Sequence, residues 1–361
     1  MIQEAIATIT EGRSLSSEEA EAVMTEIMEG QATPAQFGAL VTGLRLKGET
    51  VDEITGFARV MRSKAQPLSL SQDVVDTCGT GGDGTGTFNV STAAALVVAG
   101  AGQAVAKHGN RAASSKCGSA DVLTELGVRI ELNAQQVAEC VDRANIAFMF
   151  APVFHPSMKF AAAPRREIAI RTVFNILGPL TNPAHPKFQV LGVSDPRLIE
   201  NMARALARLG ATHALVVHGP SGLDELALNG PSTVCELRDG WTTSYELSPE
   251  DVGLVSAPIE AILGGDAAEN AAILRSVLDG ETGPKRDIVL FNAGAALYVS
   301  GKSAHIKSGV LLAAQSIDSG AAKTALSRLV EVTNGFPRGE DAPIVTPESD
   351  MYPPRFLWDV D

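Results

Sequence analysis

Two short apolar segments, each followed by a polar loop and then by a helix, constrain the fold of this chain most strongly. Val74 and Val75 lead into a glycine-dense loop before a helix begins at 89–92, and a second segment at 104–106 leads into another polar loop. Backbone N–H groups at such strand-to-helix turns lack intrahelical partners and lie at the positive end of a helix dipole. They bind anions, phosphate above all. Two such turns, about 30 residues apart, predict a ligand with phosphate groups at both ends.

The composition is that of a globular protein with room for two domains. The chain has 361 residues, of which 45% are apolar and 20% are charged, and these fractions are ordinary for such proteins. Its longest apolar run, 93–106, is interrupted by Gly100 and Gly102 and is shorter than the ~18 residues that a membrane-spanning helix needs. The N-terminal Met-Ile-Gln-Glu lacks the basic start of a signal peptide. These features favour a cytoplasmic enzyme.

The net charge of −13, from 42 acidic and 29 basic residues, opposes a role in nucleic-acid binding, which depends on a basic surface. A protein this acidic must gather its positive charges locally to bind an anion. Six side chains are expected to do so: Lys107, His108, Arg111, Lys116, Arg165 and Arg166. The cysteines form no Cys-x-x-Cys pair and are expected to be reduced thiols: Cys78, Cys117, Cys140 and Cys235.

The first part of the chain, residues 1–68, is predicted to form a small helical domain. Capping-box patterns begin at Ser16, Thr33 and Thr50, and Pro67 ends the third helical segment. Apolar residues recur at helical spacing between these signals. We expect three helices within 14–67 that serve packing or dimer contact and carry no chemistry.

From 69 to 335 strands alternate with helices, which predicts an α/β domain with a mostly parallel central sheet. Ligands bind such sheets at the carboxyl ends of the strands. The expected strands are 74–77, 104–107, 147–150, 188–193, 214–218 and 233–237, with helices at 121–126, 134–144 and 196–209 and further helices beyond Pro284. The tail 336–361 is rich in proline and acidic residues and is expected to be poorly ordered or to lie on the surface.

Two nucleotide-binding motifs are nearly matched, and both are rejected. Glycines at 79, 81 and 84 fit the dinucleotide fingerprint, but the region 103–108 lacks the carboxylate that would bind a ribose hydroxyl. Gly301-Lys302-Ser303 would belong to a P-loop only if residue 296 were glycine, and it is alanine.

Three polar motifs each allow two interpretations. Asp224 and Glu225 follow the expected strand 214–218 and are either solvated charges or a magnesium site completed by substrate phosphates. The segment 89–92 either caps its helix or also offers hydroxyls to phosphate or to metal-bound water. Arg165 and Arg166 follow Pro164 at the expected start of a helix, where they either grip a carboxylate or form a surface salt bridge.

The second loop and the loop cysteines are interpreted in the same way. The segment 107–111 is either a solvated surface cluster or a group of ligand-binding donors at a strand end. Cys78 and Cys117 are expected inside the two anion loops. A cysteine nucleophile needs an oriented base, and only His108 is a candidate. We therefore interpret both cysteines as small residues that fit their loops.

This combination of motifs resembles the anthranilate phosphoribosyltransferase family over about residues 1–335. The matching segments are 79–83, 87–92, 107–111, 114–121, 171–180 and 224–225. The resemblance implies a small helical domain, joined by helices from about 158–182 and connected through hinges to the α/β domain, in a homodimer. It implies a step of tryptophan biosynthesis in which the anthranilate amine displaces magnesium pyrophosphate from C1 of phosphoribosyl pyrophosphate (PRPP).

The resemblance also implies roles for individual residues. Those that would bind PRPP are Gly79, Gly82, Asp83, Thr87, Asn89, Val90, Ser91, Thr92, Lys107, His108, Gly109, Asn110, Arg111, Ala112, Ala113, Ser114, Ser115 and Ser119. Those that would bind anthranilate are Gly79, His108, Asn110 and Arg165. Ser91, Asp224 and Glu225 would hold two magnesium ions. No residue is expected to act as a covalent nucleophile.

Two other functions compete with this one. A pyrimidine nucleoside phosphorylase resembles this family in fold but uses phosphate and a nucleoside, and it has no need for the carboxylates at 224 and 225. A non-catalytic, nucleic-acid-binding relative is disfavoured by the net charge of −13.

Overall fold

The structure is a computed structural model that describes residues 1–112 and 115–337. Two predicted PRPP residues, Ala113 and Ser114, and the tail from 338 onward lie outside the described residues. The helices are α1 (Ile2–Thr10), α2 (Ser17–Met28), α3 (Pro34–Lys47), α4 (Val51–Ser63), α5 (Val90–Gly100), α6 (Ser119–Glu125), α7 (Ala134–Ala144), α8 (Ala151–Phe154), α9 (Lys159–Ile168), α10 (Val173–Leu177), α11 (Ile199–Arg208), α12 (Ala267–Leu278), α13 (Pro284–Val299), α14 (Ile306–Asp318) and α15 (Ala321–Gly335). The strands are β1 (Val75–Gly79), β2 (Val105–Gly109), β3 (Ile146–Phe150), β4 (Phe188–Gly192), β5 (His213–His218), β6 (Ser232–Arg238) and β7 (Trp241–Leu247).

The N-terminal bundle, α1 to α4, begins its helices where the sequence predicts. Ser16, Thr33 and Thr50 each accept a hydrogen bond from the backbone N–H three residues on, and the side chain at that position reaches back to the cap. These reciprocal bonds satisfy N–H groups that a helix start would otherwise leave unpaired. The three helices expected within 14–67 are confirmed.

The elements that the sequence analysis did not predict include α1 and β7. α1 carries no capping signal, because Met1 makes no side-chain bond at its N-cap, yet Ile2 and Ile9 are buried at helical spacing. β7 is an edge strand with mostly exposed residues, so it lacks an apolar run. Its signal is the dipeptide Asp239-Gly240, which turns the chain with positive φ angles of 49° and 86°. Asp-Gly between two strands is a strong hairpin signal.

The central sheet has the strand order β3-β2-β1-β4-β5-β6-β7. Neighbours from β3 to β5 pair in parallel, whereas β6 and β7 add an antiparallel hairpin at one side. The six predicted strands and the mostly parallel sheet are confirmed. Because parallel strands point the same way, the loops that follow β1, β2, β4 and β5 begin at one edge of the sheet.

The two faces of the sheet pack against different sets of helices. α5 and α13 cover one face in the larger apolar core. The other face shares its core with α11 and the N-terminal bundle. The segment α9–α10 joins this second core, where the ring of Phe174 lies 5.2 Å from the ring of Phe37 in α3. The predicted domain boundaries at 68 and 335 stay predictions. In the part of the chain that the structure describes, every helix is too short or too polar to cross a membrane.

Candidate active site

The carboxylate of Asp224 lies against the end of β1. Its Oδ2 accepts a hydrogen bond from the backbone N–H of Gly81 at 2.7 Å. A Cβ at Gly79 would lie 2.2 Å from the same oxygen, so only glycine lets the carboxylate approach the strand this closely. The loop after β5 and the glycine loop after β1 therefore meet as the sequence predicts.

Glu225 bonds the start of α5. Its Oε1 accepts from the backbone N–H of Ser91 at 3.1 Å, and the residue is 9% exposed. Lys107, in the middle of β2, donates to the Thr77 carbonyl of β1 and, at 3.2 Å, to the Ser91 hydroxyl. Three predicted site residues from different elements thus share one polar cluster beside the sheet edge.

The charged forms of the two carboxyl groups are disfavoured in the protein alone. Burial raises the pKa of both side chains, and the nearby carboxylate of Asp83 raises the pKa of Asp224 further. Asp224 in turn raises the pKa of Glu225, while Lys107 opposes this shift. No cluster of three or more His, Cys, Asp or Glu side chains suited to a metal ion occurs within residues 1–112 and 115–337. Magnesium does not require one, because it binds through one or two carboxylates completed by waters and substrate phosphates.

Asn89 does not cap α5 with its side chain, although it occupies the N-cap position. Its Nδ2 donates to the Cys117 carbonyl at 3.2 Å, and its Oδ1 accepts from Asn270 Nδ2 at 2.9 Å. The interpretation of 89–92 as plain side-chain capping is therefore wrong for Asn89. Its amide instead links the first loop to the second loop and to α12.

Both loop cysteines are buried thiols. Cys78 lies within β1 rather than in the loop after it, which corrects its expected position, since the strand continues to Gly79. Burial raises the pKa of the Cys78 thiol well above its ordinary value and that of Cys117 to about 11. A thiol rather than a thiolate at neutral pH is a poor nucleophile, in agreement with the interpretation of both residues as space-filling.

The second loop is organised by Asp121, which the predicted set of site residues does not include. Its carboxylate accepts from the backbone N–H groups of Ala112 and Gly118, both at 2.9 Å, and pairs with Arg111 at 3.1 Å. The two ends of the loop are thereby tied together. Its signal in the sequence was the capping position of α6, where an aspartate at the third helical residue reaches back to the cap.

His108 faces away from Lys107, as adjacent residues of a strand do, and lies against His155 with a ring separation of 5.0 Å. Both Nε2 atoms are buried and have no hydrogen-bond partner among the described residues. Burial lowers the pKa of His108 to about 3 and that of His155 to about 4. His108 is thus neutral at pH 7, which corrects its expected place among the positive charges. His155 was missed; its only signal is its position after β3, at the same edge of the sheet.

These two histidines should make stability fall in mild acid. The unfolded chain binds their protons at a pKa of about 6.5, whereas the folded chain resists protonation down to pH 3–4, so stability is complete above that pKa and lost below it. Each histidine contributes up to about 1.4 kcal/mol per pH unit to this loss. Urea unfolding at pH 7.5 to 4.5 should show a shallower pH dependence for His108→Gln/His155→Gln than for the parent. His305→Gln, at an exposed histidine, is the control; an unchanged slope in the double variant would contradict the argument.

The arginines are arranged differently from the prediction. Arg165 and Arg166 lie in the last turn of α9, not at the start of a helix, because the 3₁₀ turn Pro156–Met158 starts the helix upstream and leaves Pro164 inside it. The guanidinium of Arg165 stacks over the ring of Phe174 at 5.6 Å.

A third arginine, Arg171, lies on the glycine loop itself. A Cβ at Gly82 would lie 1.2 Å from its Nη1, and its Nη2 donates to the Ser194 hydroxyl at 3.4 Å. The positive charge of Arg171 also acts to lower the pKa of Asp224. Its signal was its position in the matched segment 171–180, but no role was assigned to it.

Comparison with known proteins agrees with this architecture. Residues 71–323 match the α/β domain of the glycosyl transferase family, and residues 3–65 match the helical bundle domain of that family. The chain is 57% identical to an anthranilate phosphoribosyltransferase of Pelotomaculum thermopropionicum, over 95% of this chain and 99% of the relative. It is also similar to the crystal structure of the anthranilate phosphoribosyltransferase of Thermus thermophilus, with a TM-score of 0.87, 47% identity and coverage of 91% and 99%.

A third relative was solved with ligands. The anthranilate phosphoribosyltransferase of Saccharomyces cerevisiae in complex with PRPP and Mg superposes with a TM-score of 0.84 at 28% identity, covering 93% of this chain and 98% of the relative. The resemblance noted from the sequence motifs is thereby confirmed along nearly the whole chain. The chain belongs to the anthranilate phosphoribosyltransferase family.

Proposed function

We propose that this chain transfers the phosphoribosyl group of PRPP to the amine of anthranilate and releases pyrophosphate. The observation that carries the proposal is the meeting of the acidic pair with the glycine loop and the start of α5. Asp224 and Glu225 reach the backbone N–H groups of Gly81 and Ser91 from a different strand of the sheet. The Saccharomyces cerevisiae relative, crystallised with PRPP and Mg, supports the same assignment.

PRPP is proposed to lie along the carboxyl ends of β1 and β2, on the eighteen residues named for it from the sequence. The backbone N–H groups in this region are anion donors, and Lys107 adds a buried positive charge that is 3% exposed. The two N–H groups of Gly81 and Ser91 are occupied by carboxylates here. Phosphate oxygens therefore compete with Asp224 and Glu225 for these donors. Phosphate binding should then depend on whether the two carboxyl groups keep these hydrogen bonds.

The acidic pair fits magnesium. The pKa values of both carboxyl groups are raised, so a divalent cation would favour their charged forms, and carboxylate and hydroxyl oxygens suit this metal. Asp224, Glu225 and Ser91 would hold two ions. Bound magnesium would stabilise the negative charge that develops on the pyrophosphate as its bond to C1 breaks.

In this proposal the anthranilate amine attacks C1 from the side of the sugar opposite to the departing pyrophosphate. The bond between C1 and the amine nitrogen forms as the bond from C1 to the pyrophosphate oxygen breaks, and the amine then loses a proton to solvent or to the departing pyrophosphate. An aromatic amine is already neutral at pH 7, so it needs positioning rather than a base. Gly79, Asn110, His108 and Arg165 are proposed to position it. A neutral His108 does not repel the positive charge that C1 acquires, whereas a protonated histidine would.

The test is the loss of anthranilate fluorescence when the protein is mixed with anthranilate, PRPP and magnesium. The signal should fall to a stable minimum with release of one pyrophosphate per anthranilate consumed, and excess chelator should abolish the reaction. A pyrimidine nucleoside phosphorylase would instead cleave uridine or thymidine in phosphate buffer and stay active with chelator. Salt-sensitive binding to DNA without fluorescence loss would favour the nucleic-acid-binding relative.

We also propose a homodimer formed through the helical domain and a location in the cytoplasm. The dimer rests on the resemblance to the family, and the location on the biosynthetic character of the reaction. Sedimentation equilibrium of the full chain should give about twice the mass of one chain, 37.6 kDa. A mass of one chain at micromolar concentration would contradict the dimer.

A further inference from the structure

We propose that Asn270, on α12, is a positioning residue that holds the two phosphate-binding loops in register. This inference rests on the proposed function, because those loops are the proposed PRPP site. Asn270 lies outside every motif discussed above and about 180 residues from the first loop in sequence. It touches neither the acidic pair nor the glycine loop 79–83 in the described contacts, so it would act through Asn89.

The amide of Asn270 is used at both ends. The side chain is buried, with 2% exposure. Its Nδ2 donates to Asn89 Oδ1 at 2.9 Å, and its Oδ1 accepts from the backbone N–H of Gly265 at 2.8 Å. A buried amide with donor and acceptor both engaged has one favourable orientation, so Asn270 presents its Nδ2 to Asn89 Oδ1, with the Cys117 side chain as a second partner on the same side.

This contact keeps the side chain of Asn89 from capping α5. An asparagine at an N-cap ordinarily accepts from the second or third N–H of its helix, and the second residue of α5 is Ser91. That N–H is the one that binds Glu225. By holding Asn89 Oδ1, Asn270 leaves the Ser91 N–H to the carboxylate of the proposed metal site.

The same contact extends to the second loop. With its Oδ1 fixed, Asn89 donates through Nδ2 to the Cys117 carbonyl at 3.2 Å. The Cys117 thiol points to Asn89 Oδ1 at 3.4 Å. Asn270, Asn89 and Cys117 therefore form a chain of contacts from α12 through the start of α5 to the loop that precedes α6.

The backbone around Asn270 holds the same loop from the other side. The Gly264 N–H donates to the Gly86 carbonyl at 2.9 Å, and the Phe88 N–H donates to the Ile262 carbonyl at 3.3 Å. A Cβ at Gly264 would lie 2.6 Å from Phe88 Cα and 2.5 Å from Asn270 Oδ1. The segment before α12 thus holds residues 86–89 in place through backbone hydrogen bonds, and Asn270 adds a side-chain hydrogen bond to Asn89.

The experiment is a double-mutant cycle on the full chain with Asn270→Ala, Asn89→Ala and both together. We expect Asn270→Ala to raise the KM for PRPP about tenfold or more, as misplaced binding groups do, and to change the KM for anthranilate less than about twofold. Because Asn270 would act through Asn89, the double variant should be no worse than Asn89→Ala alone. Asp266→Ala is the control, since it removes the N-cap bond of the same helix without contacting Asn89; it should lower thermal stability and leave the KM for PRPP unchanged.

Three outcomes would overturn the proposal: an unchanged KM for PRPP in folded Asn270→Ala, equal rises for both substrates, or losses that add fully in the double variant. If Asn270→Ala fails to fold, Asn270→Asp takes its place, because a carboxylate keeps the shape and the Gly265 bond but cannot donate to Asn89. Failure of the proposed function is a separate result, namely a parent chain that never consumes anthranilate. In that case the cycle is read from calorimetric binding of PRPP with magnesium.

Discussion

Glu225→Ala is expected to lower kcat/KM roughly a hundredfold or more at saturating magnesium, the largest loss predicted for this chain. Glu225 supplies one of two carboxylates that face the loop donors, and it is the more deeply buried of the two. No third His, Cys, Asp or Glu completes a metal-binding group with them within the described parts of the chain. Excess magnesium should therefore restore little of the activity.

The more informative variant is Glu225→Gln, because it separates function from stability. Glutamine keeps an oxygen that can accept from the Ser91 N–H but removes a charge whose burial beside Asp224 is unfavourable. Without magnesium, its unfolding temperature should equal or exceed that of the parent while its activity stays as low as that of Glu225→Ala. Scanning calorimetry in chelator and a magnesium titration of the fluorescence assay measure the two effects.

Glu246→Ala is the matched control for both variants, because Glu246 is an exposed glutamate on β7. It should change neither activity nor magnesium dependence. Parent-like activity of Glu225→Gln at any magnesium concentration would remove the acidic pair from the proposed site. Lower stability of Glu225→Gln in chelator would mean that the carboxylate serves the fold instead.

The sequence was most informative where one local signal determines one contact. Asp224 and Glu225 could be located because they follow a strand of a parallel sheet, and parallel strands bring their following loops to one edge. Gly79 was assigned to the site only through the family resemblance, and the close approach of Asp224 to it is a finding of the structure. Predicting where the acidic pair lies did not require knowing how the helices pack.

The residues that the sequence missed depend on contacts between distant segments. His155 meets His108 only because β3 pairs with β2 in register. In the sequence, Asn270 is an ordinary polar residue near the start of a helix. Its contact with Asn89 depends on the packing of α12 beside the loops. The predicted position of Arg165 at the start of a helix was wrong. The turn at Pro156, not Pro164, starts α9, so Arg165 lies in the last turn of that helix. Periodicity and capping patterns describe elements, and they leave undetermined which elements meet.

Arg165→Ala should weaken anthranilate binding far more than PRPP binding. The Arg165 guanidinium stacks on Phe174, whose ring packs on Phe37 of the N-terminal bundle. It is therefore anchored to the helical part of the protein, whereas the proposed PRPP residues lie on the sheet edge. Loss of a bidentate bond to the anthranilate carboxylate corresponds to about 2–3 kcal/mol. We expect the KM for anthranilate to rise about 30- to 150-fold and the KM for PRPP to stay within about threefold.

The neighbouring arginine provides a control for this effect. Arg166 lies in the same last turn of α9 but is exposed, so Arg166→Ala removes the same charge without the stacked guanidinium and should leave both KM values near those of the parent. Arg165→Lys should fall in between, because lysine keeps the charge but offers neither the planar fork nor the stacking surface. Equal rises of both KM values in Arg165→Ala would end this assignment. In that case Arg171, which already lies on the glycine loop, becomes the arginine to test against the carboxylate.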